Sequence, residues 1–180
     1  MMRRDVKALL TVAAVVVFTL GGFALVEIPV RVAETWTSVH IVSVLAPKHF
    51  VIVHGTGVLE SPFHSSAFLD VVTPSCSSAS SLVSVAALSA LIRRGSPARR
   101  LLATSVALVV IFTGNVIRLT SVFAVGLFEG RAVLIMFHNW VSSIFSAAFT
   151  LGGFVLIVYL LLDKKTSPPT TRATKEPIHA

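Results

Sequence analysis

Long apolar runs, set off from one another by short basic segments, limit this chain to a small set of folds. Ala8 to Val26 carries no Asp, Glu, Lys or Arg, and neither does Ser77 to Ile92. A third run starts at Leu101 and stays apolar to about Phe128, broken only by Asn115 and Arg118. A fourth runs from Val141 to Leu162 and stops at Asp163-Lys164-Lys165. A helix rises 1.5 Å per residue, so about twenty such residues cross a hydrocarbon core of ~30 Å. The composition agrees, with 54% hydrophobic and 13% charged residues, where a soluble domain carries nearer a quarter charged. The expected fold class is an all-α membrane protein: a bundle of about four transmembrane helices under a small extracytoplasmic loop or hairpin cap. The spans fall at 8–26, 77–92, 101–122 and 141–162, within one unit over 1–165.

Orientation follows from where Lys and Arg fall. Arg3, Arg4 and Lys7, then Arg93, Arg94, Arg99 and Arg100, then Lys164, Lys165, Arg172 and Lys175 all lie on one side, eleven of the fifteen. Arg31, Lys48, Arg118 and Arg131 lie on the other. Both termini are therefore expected in the cytoplasm of a multi-pass plasma-membrane protein. The first run ends in Ala24-Leu25-Val26-Glu27 without a small-x-small cleavage site, so it reads as an uncleaved anchor rather than a signal peptide. The tail from Thr166 to Ala180 is Pro, Thr and charge, and is expected to be disordered.

The outer loop, 27–75, is the one sizeable segment outside the spans. Val32, Trp36, Val39 and Ser43 recur at helical spacing, which predicts an amphipathic helix on the membrane surface ending near Pro47. Phe50 to Val53, a Gly55-Thr-Gly57 turn and a β-prone stretch from Ala67 to Val72 suggest a small hairpin.

Three residues carry chemistry. Cys76 is the only cysteine, so it has no internal disulfide partner. Thr73-Pro74-Ser75-Cys76 reads as a helix start, with Thr73 as N-cap and Pro74 at the first helical position. That places the thiol in a first turn, where the helix dipole favours a thiolate. Arg118 lies seventeen residues past Leu101, about 25 Å along a helix, with apolar residues on both sides. An intramembrane guanidinium usually faces a cavity or a partner, and Asn115, three residues earlier, shares its face. His138 opens the fourth span in Phe137-His138-Asn139-Trp140, with Trp140 suited to an interfacial belt. An imidazole titrates in the range suited to proton exchange with a nucleophile and a leaving amine. The three side chains come from different spans yet fall at one depth on the outer side.

Cys76-Ser77-Ser78, Asn115-x-x-Arg118 and a histidine opening the next span resemble the exosortase/archaeosortase family of membrane transpeptidases. The resemblance covers about Val51 to Leu162 and includes the order, spacing and outer-face placement of these residues. It implies a membrane cysteine protease or transpeptidase that cuts a C-terminal sorting signal from secreted or membrane-anchored proteins through a Cys thioester. Its partners would be substrates with a C-terminal transmembrane signal, and a lipid or other amine as acceptor. On that pattern Cys76 is the nucleophile, Arg118 an electrostatic stabiliser and His138 the general acid/base, with Asn115 and Asn139 as supporting polar groups. Ser78 stands where the family usually has glycine, and family members usually have more spans.

Other readings fit less of the sequence. A non-enzymatic four-helix module that binds or assembles membrane proteins would use Gly152-Gly153 and the serines of the second span for helix association, and pair Arg118 with a partner carboxylate. The outer-loop histidines His40, His49, His54 and His64 match no compact metal-ligand spacing, and neither metal nor cofactor is expected. No inverted repeat suggests a transporter. The basic residues are short topogenic clusters rather than a nucleic-acid stripe.

Overall fold

The computed structural model describes residues 2–47, 51–63, 66–92 and 96–162. Their order is α1 (Met2–Leu45), β1 (Val51–His54), β2 (Gly57–Glu60), β3 (Phe68–Val71), a 3₁₀ turn (Pro74–Cys76), α2 (Ala79–Leu91), α3 (Pro97–Glu129) and α4 (Arg131–Leu162). The chain is mostly helical. Among the described residues three helices are long and apolar enough to cross a membrane: α1 over Ala13–Leu45, α3, and α4. The second expected span, α2, is apolar but has 13 residues, about 20 Å of helix, less than a straight crossing needs. The expected basic flanks at Arg93, Arg94, Lys164 and Lys165, and the tail from Thr166, lie outside the described residues.

Helix α1 departs furthest from the sequence reading. That reading ends the first span at Val26 and separates it from a surface helix; the structure has one helix of 44 residues, about 66 Å long. Pro29 sits inside it, where it removes one N–H donor without ending the helix. Glu27 and Arg31 pair across one turn at 3.2 Å. The Thr35 and Thr37 hydroxyls donate to the Arg31 and Ala33 carbonyls within the helix. Charges at 27 and 31 end an apolar run, but nothing there ends a helix. Only Pro47 acts as a stop, and α1 does end just before it.

The fourth helix also starts earlier than expected, at Arg131 rather than Val141. A single residue, Gly130, joins it to α3, with φ 80° and ψ 179°, a region open essentially to glycine alone. This link folds α4 back along α3. Gly126 lies against Leu134, Arg118 against Ser142, Gly114 against Phe149 and Ile111 against Gly153, so the two helices run antiparallel.

Helix α3 is central, with buried residues along most of its length. One apolar cluster joins Val39 and Val42 of α1, and Ala46 just beyond it, to Val58, Val72, Cys76 and the Leu119–Leu127 end of α3. A second, nearer the other end of α3, joins Val85, Ala103, Ala107, Ile111, Ile157 and Leu161. Burying a side chain of this kind stabilises by about 1.5–3 kcal/mol, so each end of the bundle has its own core.

The cap is a three-stranded antiparallel sheet of order β1-β2-β3, not a two-stranded hairpin. Val53 pairs with Val58 around a two-residue turn, and Leu59 pairs with Leu69. Gly55 has φ 61° and Thr56 does not have positive φ, the pattern of a II′ turn. The sequence reading placed the glycine turn correctly but missed Gly57–Glu60 as the middle strand, because a strand that begins with glycine and ends with glutamate lacks the usual composition.

Candidate active site

The first of these apolar clusters includes Cys76. β3 ends at Val71, and Thr73, in extended backbone, leads into the 3₁₀ turn with Pro74 at its first position. Helix α2 begins only at Ala79. Cys76 therefore precedes the helix instead of lying in its first turn, which removes the expected dipole argument for a thiolate. Thr73 is the cap residue, but its hydroxyl makes no capping bond. It lies 2.8 Å from Ser75 Oγ and 3.3 Å from Cys76 Sγ.

His138 stands eight residues into α4 rather than at its start. Its Nε2 is 3.6 Å from Cys76 Sγ, within contact distance for sulfur, whose radius exceeds that of oxygen. Residues 62 apart in sequence thus bring the chain's only thiol against an imidazole. Which ring nitrogen carries the proton depends on the tautomer.

Arg118 and Asn115 lie on the inward face of α3, both buried. Asn115 Nδ2 donates to the Cys76 carbonyl at 3.0 Å, and its Oδ1 accepts from Arg118 Nη1 at 3.0 Å. Arg118 Nε donates to Ser142 Oγ of α4. A chain of polar contacts therefore runs from α4 through Arg118 and Asn115 to the backbone of the cysteine. Both of these acceptors of Arg118, Ser142 Oγ and Asn115 Oδ1, are neutral.

Two cavities flank the imidazole, and the smaller of them also reaches the thiol. One, of about 650 Å³, runs along α4 from Arg118 and His138 past Ser142, Ser146 and Thr150 to Phe154. The other, of about 170 Å³, lies under β3 and is lined by Cys76, His138, Asn139 and Asp70. His138 lines both. Asn139, a predicted supporting residue, is exposed and sits at the rim of the smaller one. The structure thus gathers Cys76, His138, Asn115 and Arg118 directly, and Asn139 at their edge.

Three acidic residues of the segment expected as an outer loop belong to this region. Glu34 is fully buried on α1 and holds the two residues after the cysteine. Ser77 Oγ donates to its Oε2 at 2.9 Å, the Ser78 amide donates at 3.2 Å, and the Ser78 hydroxyl also donates to it. Asp70, directly opposite Val58 across the β2–β3 pair, lies on the sheet face toward the bundle. Glu60 occupies the same inward face and is fully buried against Gly126 of α3. Neither of its oxygens has a hydrogen-bond partner among the described residues. Burial, reinforced by the Asp70 carboxylate, pushes its carboxyl up from 4.5 to about 8. The signal for Glu34 was present in the sequence: it is four residues before Ser38, and Thr35, Val39, Val42 and Ala46 continue the same buried face.

Among the described residues no three His, Cys, Asp or Glu side chains gather as a metal site would require. His49 and His64 lie outside them. Chemically, the arrangement offers a thiol, an imidazole in contact with it, a buried cation, and open space on both sides of the imidazole. No protein-family model, curated protein or solved structure matches the chain.

Proposed function

We propose that this chain is a membrane-embedded cysteine peptidase or transpeptidase of the exosortase type, acting on proteins that carry a C-terminal transmembrane sorting signal. The observation that carries the reading is the 3.6 Å contact between Cys76 Sγ and His138 Nε2, the geometry of an activated nucleophile and its base. In the first step the sulfur attacks the scissile carbonyl, and the thiol proton passes to His138 Nε2. The C–N bond then breaks, His138 returns the proton to the leaving nitrogen, and the acyl group remains on Cys76 as a thioester. An acceptor amine attacks the thioester carbon, gives up its proton to His138, and the thiol is regenerated.

The oxyanion needs a donor. The Cys76 and Ser77 amides donate to the Thr73 and Pro74 carbonyls inside the 3₁₀ turn, and Asn115 Nδ2 donates to the Cys76 carbonyl. Arg118, tied to Cys76 through Asn115, is the cationic donor assigned to it, and a fixed donor of this kind is worth about 3–4 kcal/mol in a water-poor site. Asn115 then acts by holding both Cys76 and Arg118, not by touching the substrate. The cavity along α4 receives the departing transmembrane segment, since it begins at His138, which protonates that segment's amine, and its hydroxyl and small side chains let a helix approach closely. The distribution of Lys and Arg supports cytoplasmic termini and a site at the extracytoplasmic face of the plasma membrane.

The test is processing in the native membrane. With Cys76→Ala or Cys76→Ser at normal expression, membrane-anchored substrates should accumulate with their C-terminal helices attached. Normal processing by Cys76→Ala would overturn the nucleophile assignment and favour a non-enzymatic helical module.

A further inference from the structure

Glu34 is a carboxylate with no exposed surface, set in a helix that reads as membrane-spanning, and it pairs with no cation among the described residues. A buried charge is costly unless donors satisfy it. Its donors here all come from one dipeptide, the Ser77 hydroxyl and the Ser78 amide and hydroxyl. That dipeptide immediately follows Cys76. From a second helix, Asn115 of α3 holds the Cys76 carbonyl. Ser38, one turn beyond Glu34, donates to the Val116 carbonyl at 3.2 Å and fixes α1 against α3 beside Asn115. The backbone just after the cysteine is thereby held between two helices, by the Glu34 carboxyl group at Ser77 and Ser78 and by the Asn115 amide at the Cys76 carbonyl.

We propose that Glu34 is a positioning residue: by gripping Ser77 and Ser78 it fixes the rotation of the turn that keeps the Cys76 thiol against His138. The inference rests on the nucleophile–base reading above. The Cys76–His138 contact crosses between the turn and α4 with no other described bond tying Cys76 to α4, so its distance depends on how rigidly the turn is held from behind. A shift of about 1 Å there separates sulfur from nitrogen enough to lose proton transfer. Glu34 acts through this geometry and has no contact with a reacting atom.

The experiment is a double-mutant cycle on alkylation of Cys76 by iodoacetamide, with the full chain purified in lipid nanodiscs. Cys76 is the only cysteine, so every labelling event reports on it. In the otherwise unaltered chain, His138→Ala should slow alkylation about tenfold or more. In Glu34→Ala it should slow it less than about twofold, because the imidazole no longer faces the thiol. Glu34→Gln, which keeps an acceptor for the Ser78 amide, should restore most of the His138 dependence. A purely structural role would not change how much the thiol depends on His138. If His138→Ala costs the same factor with and without Glu34, the positioning role is wrong while the nucleophile reading stands. If His138→Ala has no effect in the unaltered chain, the nucleophile–base reading falls and this inference with it. Should Glu34→Ala fail to give folded protein, the same cycle with Ser77→Ala and Ser78→Ala combined removes both hydroxyls from the opposite side of the contact, with the same two outcomes.

Discussion

Replacing Glu60 by glutamine should make the strand cap insensitive to alkaline pH. Glu60 lies fully buried between β2 and α3, facing Gly126 and Leu134, with no hydrogen-bond partner for either oxygen among the described residues. Its carboxyl titrates at about 8 in the folded chain against 4.5 ordinarily, chiefly through burial and secondly through Asp70. The folded form therefore keeps its proton where the unfolded form loses it. The stability this group supports is complete below pH 4.5 and declines as pH rises toward and through 8. A change from 4.5 to about 8 corresponds to a ceiling of roughly 4–5 kcal/mol at 1.36 kcal/mol per unit. The cap can lift locally and let water in, so about 2 kcal/mol is expected, a ratio of about 30 in opening equilibria. Hydrogen exchange of the β1–β3 amides, compared between Glu60→Gln and the unaltered chain at matched pH, measures it directly. Protection should be similar at pH 5, and the variant should be about 30-fold better protected at pH 9. A ratio that stays flat from pH 5 to 9 would refute the claim that Glu60 is folded in its neutral form.

Further outcomes follow from the packing of α3. A methyl at Gly114 would overlap the Phe149 ring, so Gly114→Ala should destabilise by about 1–3 kcal/mol in thermal melts. Adding Phe149→Ala should cost less in that background than alone. Asn115→Ala strands the Cys76 carbonyl and an Arg118 donor; a loss of about 1–3 kcal/mol is expected, together with slower alkylation of Cys76. Gly130→Ala forces a side chain into a φ of 80° and should cost about 1–3 kcal/mol, read as a lower melting temperature.

Much of the architecture was legible because apolar runs and helical spacing are strong signals. The residues Cys76, Asn115, Arg118 and His138 meet in one place because each sits where a run begins or carries a polar interruption. What the sequence obscured has physical reasons. Charge marks where a chain leaves lipid, not where a helix stops, so α1 was cut at Glu27 although only Pro47 breaks it. A 3₁₀ turn uses the same Thr-Pro opening as an α-helix, so Cys76 was placed one turn too deep. Glu34 and Glu60 fall in the segment expected as an outer loop, and their burial depends on tertiary neighbours that α1 and the sheet supply. Ser78, which stands in place of a glycine in the resembled motif, has its hydroxyl taken up by Glu34, a partner 44 residues away that local pattern does not reveal.

The most direct measurement is the mass of the Cys76 peptide isolated from membranes in which the chain works on its own substrates, quenched in acid so that a thioester survives. A hydroxylamine-labile acyl adduct on the Cys76 sulfur, ending at a single residue type of the donor proteins, is the predicted result. A Cys76 peptide that carries only a free thiol under these conditions, while donor proteins are still shortened normally, would contradict a covalent route through this cysteine.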